Sequence, residues 1–153
     1  MKQKIEAFKP GEEKHISKLI HSVYQEFVAP EHEAHGNAYF MDFVSPENIF
    51  KRVQDQTDVL STYKINGKIV GILSVTRKNH ISLLFVDEEH HGRGIARKLI
   101  GEFIVQNKPL GVGELTVNAT PFSAGIYERL GFSRESALLE LNGIKFIRMR
   151  KIF

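Results

Sequence analysis

Apolar positions change their period several times along the chain, and each change marks an element. Ile16, Leu19, Ile20, Val23 and Phe27 recur at i, i+3, i+4, i+7 and i+11, which predicts a helix with one buried stripe. Glu12 and Glu13 open it, where the helix dipole favours acids, and Ala29-Pro30 closes it. Before it, Ile5 to Phe8 reads as a short strand stopped by Pro10-Gly11. Glu31 to Val44 follows neither period and reads as irregular. Ser45-Pro46 then restarts a helix, a capping residue followed by Pro at the first helical position, with Ile49, Phe50 and Val53 facing inward.

The middle of the chain reads as strands. Asp58 to Lys64 and Lys68 to Arg77 are joined by Asn66-Gly67, the pair a type I′ turn demands because both central residues need positive φ. A turn at Lys78-Asn79 leads into the apolar run Ile81 to Val86, completing a three-strand meander. After Gly94 the spacing becomes helical, with Ala96, Leu99, Ile100, Phe103 and Ile104 on one face. Glu114 to Val117 is a short strand, so strand, helix and strand form a βαβ unit that predicts a parallel pair.

Thr120-Pro121 opens a further helix with Phe122, Ile126 and Leu130 inward, and Gly131 ends it as a left-handed cap. Arg134 to Leu141 and Ile144 to Met149 close the chain as a hairpin through Asn142-Gly143. The order predicts an α/β (α+β) fold: a mixed, mostly antiparallel sheet, a central parallel pair and about four helices.

Composition narrows the class. At 153 residues, 42% hydrophobic and 25% charged, the chain reads as one globular domain over residues 1–153, without linker or repeat. A balance of 21 basic and 18 acidic residues argues against a nucleic-acid surface. The longest apolar run, Ile69 to Val75, is far short of the roughly 20 residues that span a bilayer. The start, MKQKIEAFKPG, has no apolar signal core, so a soluble cytoplasmic protein, monomer or homodimer, is the expectation. The chain has no cysteine, which removes disulfides, thiolate metal sites and a cysteine nucleophile together.

The chemistry concentrates in His91-Gly92-Arg93-Gly94-Ile95-Ala96, a glycine turn between a strand and a helix start. A helix start leaves backbone N–H groups unpaired and carries a positive partial charge, so it favours anions. Arg93, Arg97 and Lys98 place cations nearby. The turn lacks the Gly-Lys-Ser/Thr of a nucleotide P-loop and the three glycines of a dinucleotide fingerprint. His32, His35, His90 and His91 have no metal-binding spacing, and no metal is expected.

With Leu84-Phe85-Val86-Asp87 before it, this turn resembles the acetyl-CoA motif of the GNAT superfamily of N-acetyltransferases, although His91 stands where Gln or Arg is usual. A second stretch, Asn118 to Phe132, resembles that family's other signature, with Asn118, Tyr127 and Gly131-Phe132 at matching spacing. The resemblance implies acetyl-CoA as acyl donor and a primary amine, on a small molecule or a peptide, as acceptor. It implies that the backbone of His91, Gly92, Arg93, Gly94, Ile95 and Ala96 holds the CoA pyrophosphate and that the strand edge at Leu84, Phe85 and Val86 pairs with the pantetheine arm. It further implies CoA contacts at Asn118 and Ser123, and a general-acid role for Tyr127. The sequence does not single out the base: His80, at the start of the same strand, is a candidate, and Glu33, His35 and Asp42 lie in the irregular segment that the resemblance makes part of the acceptor wall. Tyr39, Phe40, Met41 and Phe43 beside Glu33 and Asp42 read either as an aromatic pocket with acids, suited to a cationic or amphipathic amine, or equally as core or dimer contacts. A non-catalytic acyl-CoA-binding module of the same fold is the alternative.

Overall fold

The computed structural model describes all residues, Met1–Phe153. The first strand is β1 (Gln3–Ala7), followed by the helices α1 (Glu13–Phe27), α2 (Ala34–Phe43) and α3 (Pro46–Gln54). The meander β2 (Asp58–Ile65), β3 (Lys68–Thr76) and β4 (His80–Val86) comes next. Then come α4 (Ile95–Asn107), β5 (Glu114–Ala119), α5 (Pro121–Arg129), β6 (Ser133–Arg134), β7 (Leu139–Leu141) and β8 (Ile144–Ile152). The sheet runs β1-β2-β3-β4-β5-β8-β6, with β7 paired to β8, and only β4 and β5 are parallel.

Local chemistry accounts for most boundaries. Asn66 and Gly67 take φ of 52° and 84°, and Asn142 and Gly143 take 54° and 77°, so both hairpins use the left-handed turn their sequences predict. Ser45 and Thr120 each accept a hydrogen bond from the backbone N–H three residues on, at 3.2 and 3.3 Å, ahead of a proline. No helix is long and apolar enough to cross a membrane.

Two apolar cores hold the helices to the sheet. One gathers Ile16 and Ile20 of α1 and Ile49 of α3 over Leu60, Ile72 and Leu83. The other packs Leu99 and Ile100 of α4 and Tyr127 of α5 against Leu73, Leu115 and Met149. Gly71 sets how closely α4 approaches the sheet: a Cβ there would stand 2.9 Å from Ile95 Cγ2.

Three expectations need correction. Residues 34–43 are helical, which makes five α-helices rather than four. Their only buried residue is Gly36, so no apolar stripe announces the helix. It is fixed instead by tertiary contact: a Cβ on Gly36 would collide with the Gly143 carbonyl, and Glu33 N–H reaches that same oxygen at 3.3 Å. The predicted strand Arg134 to Leu141 is broken into β6 and β7, because Ser136 Oγ takes the Arg148 N–H at 2.9 Å in place of a ladder bond. Strand β5 runs on to Ala119, so Asn118 lies within it rather than after it.

Candidate active site

Strands β4 and β5 part almost as soon as they meet. Their parallel pairing covers only His80 with Thr116 and Ile81 with Val117. Beyond Ile81, the side of β4 turned from β3 has no strand beside it. Asp87 N–H donates to the Val70 carbonyl at 2.8 Å, flanking the Gly71–Val86 pair. That pair is therefore the non-hydrogen-bonded kind, and the backbone groups of Val86 face the gap, as do those of Leu84 two residues earlier.

The gap is a cavity of about 600 Å³. Leu84, Phe85 and Val86 line it from β4, and His91, Gly92, Gly94, Ile95 and Ala96 from the glycine turn. Asn118, Ser123 and Tyr127 line it from β5 and α5, so the cavity gathers nearly all of the residues expected at the donor site. Arg93 is exposed and lies outside the lining. Gly92 and Gly94 take φ of 75° and 77°, a conformation side-chained residues adopt at a cost, and Gly94 is the N-cap of α4. Lys98 turns away from the turn, its Nζ 3.4 Å from Gln3 Oε1, whereas Arg97 stays at the cavity and donates to the Arg129 carbonyl at 2.8 Å.

His91 makes its own bond here. Its Nε2 lies 2.6 Å from the Val86 carbonyl; a carbonyl only accepts, so Nε2 carries the proton. The ring also packs at 5.4 Å against Phe27, which stacks at 5.0 Å on Phe122. Loop, α1 and α5 are thereby tied together at the mouth of the cavity.

Tyr127 is 6% exposed and meets Phe132 edge-on at 5.2 Å. Burial alone pushes its phenol well above the ordinary range, so it stays protonated at neutral pH. Ser123 Oγ is engaged in capping α5, 2.9 Å from Thr120 Oγ1.

His80 is not brought to Tyr127. It lines a separate hollow with Thr116, Arg148 and Glu135, and its Nδ1 lies 2.8 Å from Thr116 Oγ1. Burial, followed by the charge of Arg148, lowers its pKa. Nor do Glu33, His35 or Asp42 line the cavity: Glu33 and His35 pair with each other at 3.3 Å on the surface, and Asp42 is exposed. Of the predicted aromatic group only Phe40 reaches the cavity, and Tyr39 is 56% exposed.

Sequence periodicity missed Tyr24, His32 and Ile144, which line the cavity from α1, the turn after it and β8. Tyr24 falls between stripe positions, and Ile144 follows a turn that docks on α2 only in three dimensions. His32 Nδ1 accepts the Lys145 N–H at 3.1 Å, which leaves its proton on Nε2, buried and without a partner. Desolvation lowers its pKa, so this histidine is neutral.

A mixed sheet split between its two parallel strands, with a glycine-turned helix start at the mouth of the split, defines the class as a GNAT-fold acetyltransferase. The chain belongs to the acetyltransferase (GNAT) domain family, whose family model matches residues 28–153. Solved structures of the same fold include a GCN5-related N-acetyltransferase from Rhodopseudomonas palustris, 18% identical, TM-score 0.84, covering 100% of this chain and 97% of that one. The PaiA N-acetyltransferase from Thermoplasma acidophilum, in complex with coenzyme A, is 16% identical, TM-score 0.81, covering 100% of both chains. An aminoglycoside 6′-N-acetyltransferase complexed with coenzyme A is 13% identical, TM-score 0.73, covering 97% of this chain and 96% of that one. At these identities the likeness is one of fold. No curated protein matches the sequence.

Proposed function

We propose that this acetyltransferase moves the acetyl group of acetyl-CoA to a primary amine by direct attack while both substrates are bound. The observation that carries the reading is one cavity holding a free strand edge, a glycine-turned helix start and a buried tyrosine. The residues present fit the donor. The N–H and C=O of Leu84 and the N–H of Val86 offer the pantetheine amides the bonds a neighbouring strand would make, the Val86 carbonyl being taken by His91. The backbone from Gly92 to Ala96, at the positive end of α4, suits the pyrophosphate, with Arg97 beside it. Asn118 and Ser123 stand at the rim.

For the transfer, the amine lone pair forms the C–N bond at the thioester carbonyl and charge develops on its oxygen. Backbone N–H groups on the open edge of β4 are the donors available to that oxygen. The C–S bond then breaks. Tyr127, kept protonated by burial, donates a hydrogen bond to the departing sulfur and passes it the proton that CoA carries away, while the surplus proton of the attacking nitrogen restores the phenol. A cysteinyl acyl-enzyme is not available to a chain without cysteine.

Steady-state kinetics test this. Thiol release from acetyl-CoA is measured against a panel of amines, comprising peptides, polyamines, aminoglycosides, amino acids and arylalkylamines. Intersecting double-reciprocal lines are expected; parallel lines would rule out direct attack.

A further inference from the structure

The part of the cavity walled by α1, α2 and β8 differs from the donor side. Tyr24 stacks on Phe40 at 4.1 Å, and Phe40 lies 6.0 Å from Phe85. Val23, Val28, Ile144 and the neutral His32, whose ring lies 6.3 Å from that of Tyr24, complete this wall. No Asp or Glu lines any part of the cavity, whereas Arg97 and Arg129 do. The nearest carboxylate, Glu31, lies outside the lining with its Oε1 taken by the Phe122 N–H at 3.1 Å, and Glu33 and Asp42 lie on the surface.

This composition discriminates among amines. A polyamine or aminoglycoside must bring several ammonium groups out of water, each at a cost of several kcal/mol unless an anion compensates. The lining offers no anion, and its two arginines are permanently charged. An amine with one ammonium faces a different balance, because that group must shed its proton before it can attack. Apolar surroundings disfavour the charged form and so lower the amine's pKa. The remainder of such a molecule, if apolar, gains by burial against the rings.

We infer that the acceptor is a monoamine with an apolar or aromatic tail, seated against Tyr24, Phe40 and Phe85, and that polycationic amines are excluded. The inference rests on the acetyl-CoA-dependent reading above. One proton leaves the ammonium for solvent as the amine enters the wall. The lone pair then makes the C–N bond, the C–S bond breaks, and the nitrogen's surplus proton balances the one delivered to sulfur. The products are the N-acetyl amine and CoA.

The experiment compares kcat/KM for 2-phenylethylamine and spermidine, with CoA release followed at neutral pH. A preference of about tenfold or more for 2-phenylethylamine is expected, the scale on which an apolar pocket discriminates. Equal or better use of spermidine overturns the inference and leaves acetyl transfer to amines standing; turnover of neither amine, nor of any other in the panel, overturns both. Phe40→Asp places a carboxylate in the wall and is expected to shift the ratio toward spermidine by about tenfold. An unchanged ratio in a folded variant, checked by circular dichroism, overturns the assignment of this wall to the acceptor. If the variant does not fold, the wild-type ratio alone decides.

Discussion

Replacing Tyr127 by Phe keeps the ring against Phe132 and removes only the hydroxyl, so the variant isolates the proton from the packing. Its kcat is expected to fall about 100-fold, with little change in KM for acetyl-CoA, since a group acting on the departing sulfur contributes mainly in the transition state. Loss of less than about twofold would end the acid role. Because burial raises this pKa, deprotonation moves to higher pH. The wild-type rate should therefore show no alkaline fall from Tyr127 up to about pH 10, the ordinary phenol value. Tyr127 and the glycines could be read from the chain because a motif's spacing survives folding. The direction of a long side chain could not. Lys98 stands one position from Arg97, yet one helix position rotates it about 100° around the axis, toward Gln3 and Tyr63. His91 filled its motif position, but its bond to Val86 depends on how far the turn folds back on β4.

Elements with a regular apolar period were predictable, and α2 shows the limit of that signal. Phe40, Met41 and Phe43 pack against the core only partly buried, and the helix is held further by backbone meeting backbone at Gly36 and Gly143 and by Asn37 accepting the Tyr24 hydroxyl at 2.8 Å. None of these leaves a periodic trace. The placement of α4 has a similar dependence on a single glycine. Gly71→Ala adds one methyl group 2.9 Å from Ile95 Cγ2, at the first turn of the helix. Crowding of this kind costs about 1–3 kcal/mol. Chemical denaturation should show that loss, and titration calorimetry should show weaker CoA binding, because the helix start carries the proposed phosphate cradle. Normal stability and unchanged affinity would mean that α4 does not need this close approach.

Across the whole molecule, the two cores cover opposite faces of one sheet, Leu60, Ile72 and Leu83 on one and Leu73, Leu115 and Met149 on the other. Asp58, 2% exposed, lies on the first of these faces, two residues before Leu60. Its Oδ2 accepts from Arg52 at 2.6 Å and from Ser74 at 2.8 Å, and also from Ser82, so one carboxylate joins α3 to β3 and β4. Asp58→Ala would strand a largely buried arginine without its partner, a change that costs about 3–5 kcal/mol. Urea unfolding should register it, and a loss below about 1 kcal/mol would show that water replaces the carboxylate. The βαβ order made β4 and β5 neighbours on sequence grounds alone. That their pairing would last only two residue pairs was not legible: it ends at Ile81, beside the irregularity in the β3–β4 register at Ser82, which no turn residue or apolar period announces.

The parting of β4 and β5 also bears on how the protein behaves in company. An unpaired strand edge is a template for any extended chain, including another copy of the same protein. The backbone groups of Leu84 and the N–H of Val86 form such an edge inside the molecule, and the His91 ring already closes on the Val86 carbonyl. With the pantetheine arm in place as proposed, the cosubstrate completes the sheet, and the protein is guarded against self-association by the same molecule it consumes.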